Sequence, residues 1–102
     1  MIERIVLLQM TDQFATEAAL AEVAERSREV LPTLPGVLAC HVGLAADEPT
    51  RASWHVALVL RFASADDIPP YAAHPDHRAY VDDFLRPRLA SIVAHNFEVD
   101  GQ

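Results

Sequence analysis

One nine-residue segment, Trp54 to Phe62, narrows the fold more than any other part of the chain. Its residues alternate: Trp54, Val56, Leu58, Leu60 and Phe62 fall on one side of an extended strand, and His55, Ala57, Val59 and Arg61 on the other. A strand with one wet face carries polar residues there. Here both faces are mostly apolar, so both are expected to be covered, with Arg61 near an edge or end. A chain of 102 residues makes a single domain, residues 1–102. So small a domain leaves much of its surface exposed. A sheet with a second apolar face therefore gains from a partner subunit.

The rest of the chain supplies the layers around this strand. Ile2 to Gln9 is apolar and β-branched at its centre, the pattern of a strand. Thr16 can cap a helix, and Leu20, Val23, Ser27, Val30, Leu31 and Leu34 then recur at three-to-four spacing. Pro35-Gly36 makes a turn into a second strand, Val37 to Leu44, and Ala45 to Ser53 is a polar loop. After Phe62, Pro69-Pro70 limits the next segment to a short kinked helix ending near Ala73. Pro75 restarts a helix whose face is His77, Tyr80, Val81, Phe84 and Leu85, until Pro87 bends or ends it. Ser91 to Val99 is a last strand, and Asp100-Gly101-Gln102 a frayed tail. The order β-α-β-β-α-β predicts an α+β, ferredoxin-like domain, a four-stranded antiparallel sheet with helices on one face. Pairing two bare sheet faces under twofold symmetry closes a dimeric α/β barrel, a homodimer through the sheet face.

Charge and composition exclude several functions. The net charge is −7, no lysine is present, and the eight arginines form no basic stripe, so nucleic-acid binding is not expected. Without lysine there is no Schiff base, no lysine-held pyridoxal phosphate and no P-loop. No apolar run approaches the ~20 residues of a membrane span, and Met1-Ile2-Glu3-Arg4 opens directly into a strand without a signal-peptide pattern. The chain, read as complete from Met1, holds one cysteine, Cys40, and so no internal disulfide. A cytoplasmic location is expected.

His77 is the leading candidate for chemistry. It shares the apolar stripe with Tyr80, Val81 and Phe84 and lies in the first turn after Pro75. Burial and the positive helix end both disfavour imidazolium, which leaves the neutral ring that a general base requires. The competing reading is a packed core histidine satisfied by a hydrogen bond. Tyr71 stands six residues earlier, across the helix restart; its phenol can donate to a developing enolate, or simply bury its ring and keep its hydroxyl wet. His74 precedes Pro75 and reads as a cap. No Cys-x-x-Cys, His-Glu-x-x-His or EF-hand pattern is present, and Asp82 and Asp83 are better read as a solvated helix face than as Mg²⁺ ligands. No metal is expected. His41, His55 and His95 lie on strands, facing either the helix side or the dimer interior. No serine has a G-x-S-x-G setting.

Several segments together resemble a known family. They are Ile2 to Leu8, the Leu34-Pro35-Gly36-Val37 turn, the strand His55 to Phe62, Tyr71-Ala72-Ala73-His74-Pro75-Asp76-His77 as Y-x-x-H-P-x-H, Phe84-Leu85-Arg86-Pro87 and Phe97-Glu98-Val99. In this order they resemble the stress-responsive dimeric α/β-barrel (Dabb) domain. The resemblance implies a homodimer with a pocket between sheet and helices for a small hydrophobic or aromatic ligand. A plant polyketide cyclase of this family carries out a cofactor-free aldol condensation with a tyrosine and a histidine. By motif these are Tyr71 and His77, and no cofactor is implied. Independently of the motif, His74, Tyr80, Phe84 and His55 are expected to line the pocket. The cyclase has a histidine on its first strand where this chain has Arg4. Related dimeric barrels imply one alternative, a cofactor-independent monooxygenase; a second, of a different class, is a non-catalytic stress or ligand-binding protein whose role is the stable dimer.

Overall fold

The computed structural model describes residues 1–100; Gly101 and Gln102 of the expected frayed tail lie outside the described residues. Four strands form one antiparallel sheet: β1 (Ile2–Met10), β2 (Ala39–Leu44), β3 (Val56–Phe62) and β4 (Leu89–Glu98), in the order β2-β3-β1-β4. Helices α1 (Glu17–Val30), α3 (Ile68–Ala73) and α4 (Pro75–Ala79) complete the ferredoxin-like α+β arrangement. A short α2 (Glu48–Arg51) lies in the loop between β2 and β3.

Alternation along the strands sets the layers. Val56, Leu58, Leu60 and Phe62 of β3 are buried, and so are Ile2, Val6, Leu8 and Met10 of β1. These residues face the helices and meet Val23, Leu31, Tyr71, Tyr80 and Leu85 in one core. The intervening residues form the open face. Across it the register aligns His41, Val59, Ile5 and His95 in one row, and Ala39, Arg61, Glu3 and Phe97 in the next. Within that second row Arg61 Nε donates to Glu3 Oε2 at 2.8 Å. Phe97 is half exposed there.

Local chemistry explains the boundaries. The Thr16 hydroxyl accepts from the Ala19 N–H and starts α1. Gly36 takes a φ of 81°, a left-handed value that glycine reaches without strain, and so turns the chain towards β2. The strand begins two residues later than its composition indicates. Helix α2 was not expected: Asp47 accepts from the Thr50 N–H and Pro49 sits in its first turn, but four residues carry no hydrophobic period.

The expected single helix from Pro75 is irregular. Beyond Ala79 the chain widens into a π-helical stretch, Tyr80–Leu85, and then tightens into a 3₁₀ turn, Arg86–Arg88. The Arg86 N–H reaches the Val81 carbonyl, five residues back. Pro87 offers no N–H and its ring crowds the preceding turn, which favours the wider winding before it.

Candidate active site

The restart at Pro75 brings two aromatic groups together that sequence spacing could not connect. Tyr71 lies in the last turn of α3 on the core side and is 2 % exposed. The His77 ring lies 4.5 Å from the Tyr71 ring, centroid to centroid. Phe62 packs edge-on against Tyr71 at 5.1 Å. His74 makes the junction possible: it is the N-cap of α4, its Nδ1 accepting from the Asp76 N–H at 3.1 Å. Its ring is thus used structurally.

His77 is half buried, and its Nδ1 lies 3.1 Å from the carbonyl oxygen of Ala72. A carbonyl only accepts, so Nδ1 carries the hydrogen and Nε2 bears the lone pair of the neutral ring. Burial holds the His77 pKa below its ordinary 6.5; the Ala72 carbonyl acts in the opposite sense, and the positive charge of Arg4 adds to the lowering. Burial pushes the Tyr71 phenol up to about 12, with the Arg4 charge opposing. At neutral pH the pair is therefore a lone-pair nitrogen beside a protonated hydroxyl.

Arg4 acts on both groups, and sequence reasoning did not count it as a site residue. It occupies the helix-facing register of β1, between Ile2 and Val6, opposite Leu60 and Asn96. Its Nη1 donates to Asn96 Oδ1 at 2.9 Å, while its buried Nε has no hydrogen-bond partner. The signal was present: a lone charge in the buried register of an otherwise apolar strand.

Tyr80 and Phe84 lie further along. The Tyr80 ring is 6.5 Å from His77, but its hydroxyl contacts Ser27 Oγ at 2.6 Å inside the core. Phe84 is flanked by Arg26 and Arg88, whose guanidinium carbons lie 4.7 and 4.1 Å from the ring centroid. Both aromatics line a groove of about 630 Å³ between α1 and the π-helical stretch, which neither His77 nor Tyr71 lines. His55 is not brought to the cluster. Its Nδ1 accepts from the Met10 N–H at the opposite end of β1, and it borders a separate hollow of about 300 Å³ with Leu20 and Leu44. Arg4 and Met10 are six residues apart on one strand, roughly 20 Å. Cys40 is half buried on the helix side, and burial raises its thiol pKa, which disfavours the nucleophilic thiolate. Among the described residues no three His, Cys, Asp or Glu side chains converge as metal ligands.

The profile of the stress responsive A/B barrel domain (Dabb) matches residues 2–99. The chain belongs to the Dabb family. None of the curated proteins matches the sequence closely enough to count as a relative. Among solved structures, a Dabb protein from Mesorhizobium loti superposes with a TM-score of 0.81 at 19% identity, covering 98% of this chain and 97% of its own. A dimeric ferredoxin-like protein from Thermobifida fusca gives 0.81 at 24% identity, covering 96% and 90%. The hydroxynitrile lyase of Passiflora edulis gives 0.79 at 14% identity, covering 99% and 94%. These superpositions establish a shared fold. Within this Dabb chain, no helix among the described residues is long and apolar enough to cross a membrane.

Proposed function

We propose that this Dabb protein works as a cytoplasmic homodimer and as a cofactor-free enzyme of lyase or cyclase type, acting on a small aromatic or polyketide-like carbonyl compound. The observation that carries the reading is the Tyr71–His77 pair, a neutral imidazole with its Nε2 lone pair unprotonated beside a phenol that keeps its proton. In the proposed step Nε2 removes a proton from the carbon next to the substrate carbonyl. The electron pair of that C–H bond moves into the carbonyl, and the Tyr71 hydroxyl donates a hydrogen bond to the enolate oxygen. The enolate carbon then attacks a second carbonyl or expels a leaving group, and the imidazolium returns its proton to the product. A hydroxynitrile lyase among the proteins sharing the fold is consistent with acid–base chemistry on this scaffold. The dimer is supported by the apolar open face and by dimeric proteins of the same fold.

The test is exchange of the α-protons of an aryl methyl ketone for deuterium, followed by NMR. The wild-type protein is expected to accelerate exchange over buffer. His77→Gln keeps the ring's approximate volume without its base and should return the rate to background; Tyr71→Phe should slow it by roughly 10²-fold or more. A folded His77→Gln protein that exchanges as fast as wild type would overturn the assignment.

A further inference from the structure

We infer that Arg4 forms a carboxylate-binding subsite beside the Tyr71–His77 pair, so that the ligands preferred by this chain are anionic. The inference rests on the reading above that the cluster receives a ligand.

A guanidinium in the buried register of a central strand needs partners, because a buried donor left unpaired is costly. Here the partners are incomplete. Asn96 takes Nη1 and the Tyr71 hydroxyl lies within hydrogen-bonding reach of the guanidinium, but the buried Nε has no partner. Nε and Nη2 share the side edge of the guanidinium, the edge that a carboxylate meets with two parallel hydrogen bonds. Neutral carbonyls offer one acceptor atom to that edge; a carboxylate offers two, with charge.

Among the described residues no carboxylate is paired with Arg4; Asp82, which acts on His77, is held by Arg78 and Arg86. On the helix-facing register Arg4 is flanked by Ile2 and Val6 along β1, with Leu60 on β3 and Asn96 on β4 across it. The first-strand carboxylate, Glu3, lies on the open face and is engaged by Arg61. The subsite is also approachable. Ile92 of β4, in the helix-facing register opposite fully buried Leu8, is 46 % exposed, so the helix layer stops short of this edge strand. Asn96, which holds Arg4, is exposed on the same strip. A ligand entering over β4 would meet the guanidinium on its way to His77. Its carboxylate would lie on Arg4 and its reacting carbonyl against the edge of the His77 ring, beside the Tyr71 ring that His77 touches at 4.5 Å.

Benzoate and benzamide, equal in size and differing in charge, test the assignment by ¹H–¹⁵N chemical-shift titration. Wild-type protein is expected to bind benzoate roughly tenfold or more tightly than benzamide, with shifts centred on Arg4, Tyr71 and His77. Arg4→Gln should remove that preference, and Arg4→Lys, which keeps charge but not the side edge, should restore it only in part. Equal wild-type responses to the two probes, including none to either, would overturn the subsite without any variant. So would a folded Arg4→Gln protein that still prefers benzoate. Binding by His77→Gln separates the two proposals: benzoate preference that survives there, with no deuterium exchange in wild type, supports the subsite while removing the base. Exchange without benzoate preference does the reverse.

Discussion

Ser27→Ala should destabilise this protein more than Tyr80→Phe, although the two changes remove opposite ends of one hydrogen bond. Ser27 has a single hydroxyl hydrogen, donated to the Val23 carbonyl at 2.7 Å. The 2.6 Å contact with Tyr80 must then use the tyrosine's hydrogen. Both residues are buried, Ser27 completely. In Ser27→Ala the Tyr80 hydroxyl becomes a buried donor without an acceptor, a cost of about 1–3 kcal/mol. Alanine's better helix propensity offsets about 0.5 kcal/mol of this. In Tyr80→Phe the serine keeps its Val23 bond and loses only an incoming donor, a cost of about 0.5–1.5 kcal/mol. The double variant has no orphaned group, so adding Tyr80→Phe to Ser27→Ala should restore stability. Urea unfolding followed by circular dichroism, at one fixed protomer concentration, gives the four midpoints of the cycle. Tyr80→Phe costing more than Ser27→Ala, or a double variant at the sum of the singles, would refute the donor assignment.

Two further outcomes are expected. Because the folded-state pKa of His77 lies below 6.5, the unfolded chain binds its proton first as pH falls. His77 therefore contributes full stability above pH 6.5 and progressively less below it; the stability difference between wild type and His77→Gln should shift against wild type on acidification, and a difference constant with pH would show a solvated ring. Ile5 sits mid-row on the open face between Val59 and His95, with no arginine in its row, so Ile5→Glu would enclose a carboxylate in each half of a sheet-to-sheet dimer, at a cost of several kcal/mol. Light scattering should find wild-type dimer and variant monomer at micromolar concentration, and a wild-type monomer would contradict the dimer.

The sheet was legible because its strands alternate cleanly. Val56 to Phe62 carries its buried side on the residues that the period-two pattern assigns, and the crossover order follows from chain order and handed connections. The site was legible only in part. Helix spacing put His77 inward, but its proximity to Tyr71 depends on the angle between two short helices, which the His74 cap and Pro75 set and no periodicity encodes. His55 was expected at the pocket as a strand histidine alone, and strand register puts it at the far end of β1. The π-helical stretch was hidden because Tyr80, Phe84 and Leu85 stay buried in either winding. Arg4 is hidden for the opposite reason: set against the family pattern it marks a missing histidine, and only the strand register shows it as a charge on the buried side.

The Glu3–Arg61 pair on the open face bears on which chains can join. Both side chains are only about one-quarter exposed before any association, and a partner sheet would enclose them further. A second copy of this chain brings the same two charges, already matched to each other. A related chain lacking one of them would enclose an unanswered charge against its partner, at a cost of several kcal/mol. In a cell that makes several such barrels, this pair would sort each chain towards its own kind.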